Sequence, residues 1–289
     1  MHADLDTLCT VVYCTADDLL PQKPGNARRT VSDAEIATLC VAQAIMGIPS
    51  DRRFLAVARK RLDHLFPQLP KQPGFHKRRA RLAETIEWLI GVFASDSPGC
   101  QDDVLLIDST PVECARSVET TRRSALAEAA DYGWCGSHSR FFWGFRLHCL
   151  FAPDGTPRAF ALASPKRGER EVGIELLARA ERAGGETIIG DKGYAGREFA
   201  AAAKGLDATI IRPARKDESG CTAHLAPIRQ RIESIFWTCK DILTLERHGA
   251  RTLHNLRVRI AQRFLALAAC VALNHRLGRP SRALVDYVA

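Results

Sequence analysis

Two apolar runs of β-type residues lead into aspartate. Val104-Leu-Leu-Ile precedes Asp108, which is followed by Ser109, Thr110 and Pro111; Thr187-Ile-Ile-Gly precedes Asp191, which is followed by Lys192, Gly193 and Tyr194. A third acid, Glu233, lies in Arg-Gln-Arg-Ile-Glu-Ser-Ile-Phe, a basic helical stretch. Strand ends open onto crevices where ligands bind, so carboxylates delivered there are placed to work rather than to pack. An aspartate at a strand end can equally cap a turn. Three carboxylates sharing a pocket repel one another at a cost on the order of several kcal/mol per ion unless cations offset it. Divalent metal is the natural offset, and two ions about 3.5–4 Å apart can clamp an in-line phosphoryl displacement.

A chain of 289 residues suits one large domain or two smaller ones, and its 46% hydrophobic content is enough for a substantial core. The sequence has no apolar run of about 18 residues, and its acidic start, Met-His-Ala-Asp-Leu-Asp, lacks a basic signal-peptide region. A cytoplasmic protein without membrane attachment is expected, and the ten cysteines then read as reduced, mostly buried residues. Lys and Arg outnumber Asp and Glu by 15 to 7 over residues 201–289, whereas residues 101–200 carry 13 and 15. A second basic concentration, ten cations against Asp63 alone, runs from Arg52 to Arg81. Basic regions on either side of an acidic middle fit a polyanion held across a metal centre, although solvated helix faces give the same composition.

The first 95 residues have helical periodicity. Ser32-Asp-Ala-Glu35 is a capping-box pattern opening a run with Ile36, Leu39, Cys40 and Met46 on one face. Gly47 to Ser50 stops it, and Asp51 is placed to cap a second helix with Phe54, Val57, Ala58, Leu62 and Leu65 inward. Pro67, Pro70 and Pro73 break that helix, and a third starts near Lys77. The pair joined by a four-residue turn fits a DNA-binding helix-turn-helix or a plain helical docking region. Polar, turn-rich residues follow, and then a mixed pattern: strand 104–107, strands 141–151 and 158–163 joined by Pro153-Asp-Gly-Thr156, helix 169–182, strand 187–189, helix 197–203, strand 208–211, and helices 225–245 and 253–277.

On the helix that carries Glu233, Leu225, Ile228, Ile232, Ile235, Cys239 and Ile242 recur at steps of three and four and define the buried stripe. Arg229, Glu233 and Lys240 form a second line beside it, which predicts a half-buried carboxylate between two cations. The plainer reading is a surface ion pair, worth only about 0.2–0.5 kcal/mol.

The order of elements and acids resembles the ribonuclease-H-like fold of the integrase and transposase superfamily. Residues 104 to about 275 are similar to the catalytic domain of bacterial insertion-sequence DDE transposases, in the branch with a Tyr-x2-Arg-x3-Glu-x6-Lys signature. Arg229, Glu233 and Lys240 match that signature, while Ala226 stands where its tyrosine is expected; Gly190-Asp-Lys-Gly-Tyr194 is similar to the second-acid motif. The resemblance implies an α/β fold in which a mixed sheet is flanked by helices and preceded by a helical, DNA-binding region. The expected divisions are 1–95, a linker at 96–103, a catalytic domain at 104–277 and a tail at 278–289. Asp108, Asp191 and Glu233 would be the catalytic acids and would ligate two Mg²⁺ or Mn²⁺ ions. Arg229 and Lys240, with Lys192, Arg212, Arg215 and Lys216, would bind phosphates of double-stranded DNA at the element ends and target, with the chain acting as a homodimer or higher assembly. The activity implied is metal-dependent cleavage and strand transfer. The alternatives are a nuclease on the same fold and a transposase-derived DNA-binding protein that no longer cuts.

Two further groups of residues invite other readings. Cys135, His138, His148 and Cys149 are zinc-type ligands, but their spacing is not that of a ribbon or finger, and adjacent strand residues face opposite ways. Trp134, Phe141, Phe142 and Trp143 could stack on an unpaired base, although core or interface packing is the more frequent use of such a cluster.

Overall fold

The computed structural model describes residues 4–22, 30–136, 139–214 and 225–288. The chain divides into two compact units, one of Pro98–Trp237 and one that joins Met1–Ser97 to Thr238–Ala289. The second opens with five helices: α1 (Leu5–Leu19), α2 (Asp33–Ile45), α3 (Asp51–Arg61), α4 (Gln72–Arg81) and α5 (Ala83–Ser95). The capping box of α2 forms as its sequence implies, with Ser32 Oγ accepting from Glu35 N–H and the Glu35 carboxylate accepting from Ser32 N–H. The cap of α3 is Ser50 rather than Asp51, whose buried carboxylate turns to other partners. Pro73 does not break a helix; it lies in the first turn of α4, where its missing N–H is no loss.

The sheet unit contains β1 (Val104–Ala115), α6 (Val118–Arg123), β2 (Asp131–Cys135), β3 (Arg140–Phe151), β4 (Pro157–Ala163), α7 (Glu169–Arg179), β5 (Glu186–Ile189), α8 (Arg197–Gly205) and β6 (Ala208–Ile211). Helix α9 runs from Ala226 to Asp241. The six strands form one mixed sheet. β3 pairs antiparallel with β1, β2 and β4, while β5 pairs parallel with β1 and β6. With the short β2 set aside, the strand order is β4-β3-β1-β5-β6, the ribonuclease-H-like arrangement. Asp108 then lies on the first strand and Asp191 just after the fourth.

β1 is much longer than the four residues its apolar run suggested. Its parallel pairing with β5 ends at Leu106↔Ile189, but its antiparallel pairing with β3 continues through Asp108↔Cys149 and Pro111↔Arg146. Pro111 is tolerated because β5 has already ended, so the strand has an edge there. Near the end of this ladder the register shifts between Glu113 and Ala115. Opposite lies Gly144, where an added Cβ would collide with the Val112 carbonyl oxygen.

Alternation along β1 sorts its side chains by face. Leu105 and Ile107 join Leu150, Leu176, Leu177, Ile188, Tyr194 and Phe199 in a core beneath α7 and α8. Asp108 points the other way, on the face where Phe151 meets Phe236 of α9 edge-on at 5.9 Å between ring centroids. The aromatic cluster of β2 and β3 divides between roles: Phe142 and Trp143 are buried, whereas Trp134 and Phe141 are exposed and in mutual contact. No cysteine among the described residues is in a disulfide.

The last helix, α10 (Leu253–Arg276), is buried almost throughout from Leu256 to Asn274 and packs with α1, α2, α4 and α5. The segment expected as one catalytic domain, 104–277, is thus shared between the two units. The expected tail folds back on α10: buried Tyr287 donates its hydroxyl to Asn274 Oδ1 at 2.8 Å. A charge network also lies within this unit. Asp51 accepts from Arg79 Nη1 and Nη2 at 2.8 and 2.9 Å, from Arg259 Nη2 at 2.7 Å and from Gln43 Nε2 at 2.9 Å.

Candidate active site

Asp108 enters the site from the middle of β1, just past the end of the parallel ladder. Its Oδ1 accepts the Ser109 N–H at 2.7 Å. Burial, reinforced by the charges of Asp191 and Glu169, raises its pKa to about 7, against the opposing pull of the Ser109 N–H and Arg229. Asp191 follows β5 and caps a short 3₁₀ turn, Lys192–Tyr194, with Oδ1 accepting the Gly193 N–H at 2.7 Å. Both aspartates are therefore fixed by local backbone bonds, and the charge of Asp191 reaches Asp108.

The third carboxylate whose charge reaches Asp108 is Glu169, which sequence reasoning did not single out. It opens α7, where the N-terminal dipole favours an acid. Its Oε1 accepts from Ser109 Oγ at 3.0 Å and from Arg146 Nη1 at 2.5 Å. A Cβ added at Gly193 would collide with Glu169 Oε2 and lie 2.9 Å from Asp191 Oδ1. The absent side chain at Gly193 is what lets these two carboxylates approach. Near them lies Tyr194, 1% exposed, with a hydroxyl that has no hydrogen-bond partner among the described residues. Burial and then the charges of Asp108, Glu169 and Asp191 raise its pKa well above the ordinary range, so the phenol stays protonated.

Of the expected cations, Arg229 on α9 lies within the field of Asp108. Glu233, one turn further along α9, is exposed rather than half-buried. At 3.6 residues per turn it stands about 40° further round the helix from the apolar stripe than Arg229, which accounts for the difference. The stripe itself is as its spacing suggests, with Leu225, Ile232, Ile235 and Cys239 buried. Arg212 follows β6 and donates from Nη1 to the Pro213 carbonyl, and Lys192 is exposed on the 3₁₀ turn. Lys240 ends α9 and pairs with Glu246 at 3.3 Å within the helical unit. Arg215 and Lys216 lie outside the described residues, as does His138 of the zinc-type set. His148 is buried without a partner for either ring nitrogen among the described residues, and burial with nearby Arg146 and Arg167 lowers its pKa to about 4.

The site has oxygen donors and an excess of like charge, which suits a hard divalent cation. Among the described residues, no three His, Cys, Asp or Glu side chains already stand close enough together to hold one. The family model for the transposase DDE domain matches residues 99–269, more than half of the sequence. The chain belongs to the DDE transposase family. The matched segment carries Asp108, Asp191 and Glu233, and it covers the sheet unit together with most of α10. Comparison with curated proteins and with solved structures returned no match. No helix among the described residues is long and apolar enough to cross a membrane.

Proposed function

We propose that this transposase-family chain cuts DNA at the ends of an insertion element and joins those ends to target DNA, with Asp108, Asp191 and Glu233 as its catalytic acids. One observation carries the reading: a half-buried aspartate on the first strand whose pKa is raised by desolvation and by the charges of Asp191, beyond the fourth strand, and Glu169, inside the segment that matches the family. Mg²⁺ or Mn²⁺, when bound by these acids, supplies Lewis-acid polarisation of the phosphodiester and eases deprotonation of the attacking water or 3′-hydroxyl. The chain's own contribution is preorganisation. The Ser109 and Gly193 amides fix the direction of the two aspartates before substrate arrives. Arg229, beside Asp108, answers the charge of a phosphate, and Glu233 completes the acid set from the same helix.

DNA contact outside the catalytic acids is assigned to Lys192, Arg212, Lys240 and the exposed face of α3, where Arg52, Arg53, Arg59 and Lys60 line one side of the helix. The bond from Arg259, with those from Arg79, ties the start of α3 to α10 and α4, which keeps that basic face rigid. Action on paired ends as a homodimer belongs to this reading.

The test is incubation of the purified protein with Mg²⁺ or Mn²⁺ and duplexes spanning the DNA on either side of its coding sequence. Cut and joined products are expected, and both should vanish with Asp108→Asn. Cutting without joining would reduce the activity to that of a nuclease. Binding without either would leave a DNA-binding protein.

A further inference from the structure

Arg146 donates directly to Glu169, whose charge helps raise the pKa of Asp108. The arginine lies on β3, opposite Pro111, and Ser109 shares that face of the sheet by alternation. Nη1 donates to Glu169 Oε1 at 2.5 Å and to Ser109 Oγ at 3.2 Å, and Nη2 donates to the Trp134 carbonyl at 2.9 Å. A guanidinium has five N–H donors. Three bonds therefore leave the Nε proton and one Nη2 proton without a partner among the described residues, on a side chain that stays 20% exposed.

The Glu169 carboxylate spans the gap between this cation and the acids, with one oxygen on Arg146 and the other against Gly193 beside Asp191. We infer that Arg146 binds a phosphate of the DNA strand presented to Asp191, on the α7 side of the sheet, and that Glu169, helped by Ser109, is the positioning residue that holds it in place. Two donors on neighbouring nitrogens of a planar fork match two oxygens of a phosphate, a fit that lysine cannot reproduce. Nη1, locked by Glu169 and Ser109, leaves the guanidinium little freedom to lose on binding. A bare arginine on a strand would have to be ordered by the substrate itself.

The inference rests on the DNA-cleaving reading and can fail separately from it, because its main readout needs no cleavage. Binding of the same flanking duplexes is measured in EDTA over a range of salt for wild type, Arg146→Gln, Arg146→Lys and Glu169→Gln, with melting curves to show that each is folded. Arg146→Gln should reduce the slope of log affinity against log salt by about 1. Arg146→Lys, which keeps the charge, should retain the slope but not full turnover. Glu169→Gln should keep the slope while turnover at saturating DNA falls by about 10²-fold. If Arg146→Gln melts earlier but keeps the wild-type slope, Arg146 is only a strut between the hairpin and α7, and the inference is overturned. An Asp108→Asn control separates the two ideas: wild-type cutting that is lost in this variant upholds the DNA-cleaving reading whatever Arg146 does.

Discussion

Asp51, at the start of α3, is met by two guanidiniums and an amide; Asp108, in β1, is met by other carboxylates. Burial alone would raise the pKa of both. At Asp51 the bonds and charge of Arg79, with Arg259 and Gln43, reverse that effect and hold the carboxyl well below the usual range. At Asp108 the neighbouring acids add to it, and the pKa rises to about 7. Asp51 has what a buried charge needs, so it serves the fold. Asp108 has only the Ser109 N–H and the charge of Arg229 against its acidic neighbours, which suits its proposed role of holding a cation that arrives with the reaction. Burial of an acid says little by itself; the sign of its company says what it is for.

The comparison can be broken most directly by amide substitution at each position. Asp108→Asn should remove cleavage by about 10³-fold or more, equivalent to roughly 4 kcal/mol of transition-state stabilisation. In metal-free buffer at neutral pH it should leave the melting temperature unchanged or raise it, because a repelled charge has gone. Loss of stability in that variant would show that Asp108 is a structural acid. Asp51→Asn should do the reverse, costing about 3–5 kcal/mol by stranding Arg79 and Arg259.

The pH dependence of stability sharpens the same contrast. The folded pKa of Asp51 is lowered, so its stabilisation is present above the unfolded value of about 3.9 and is lost as pH falls below it. The folded pKa of Asp108 is raised, so its contribution is full below about 3.9 and is lost as pH rises through about 7. Without metal, hydrogen exchange should show the sheet unit gaining protection as pH drops from about 7 to 5, while α3 and α4 keep theirs until pH falls below about 4. Parallel curves for the two units would refute this.

Smaller effects follow from the surroundings. Gly193→Ala should force Glu169 and Asp191 apart and lower turnover by about 10²-fold with little change in DNA affinity, as read from the separate effects on kcat and binding. Neutralising Arg52, Arg53, Arg59 or Lys60 singly should lower the salt slope of DNA binding by about 1 each and leave turnover at saturating DNA unchanged.

Local rules made much of this legible. The Ser32 capping box, the hairpin around Gly155, strand β6 and the apolar stripe of α9 all follow from short-range spacing, and the structure repeats them closely. What local rules missed came from pairing across the sheet. Ser109-Thr-Pro111 reads as a turn until β3 is seen to pair with it, and β2 hides in a stretch broken by Asp131 and Gly133. Glu169 has the signature of an ordinary first-turn acid. Only the register that brings Ser109 and Arg146 to one face reveals its position, and the acid at the head of α7, directly after the returning strand of the hairpin, was the available clue. Asp191 could be proposed from sequence because a strand end is a local event, and Asp108 because the apolar run before it is one too, although β1 continues past it. The setting of Glu233 depends on about 40° of helix rotation, which a residue count resolves poorly.

Because β1 outruns β5, its later half has a border that another polypeptide could seek to extend into a larger sheet. Pro111 sits on that stretch and has no amide hydrogen to offer a newcomer, so the residue that looked like a turn also disfavours the addition of a strand there.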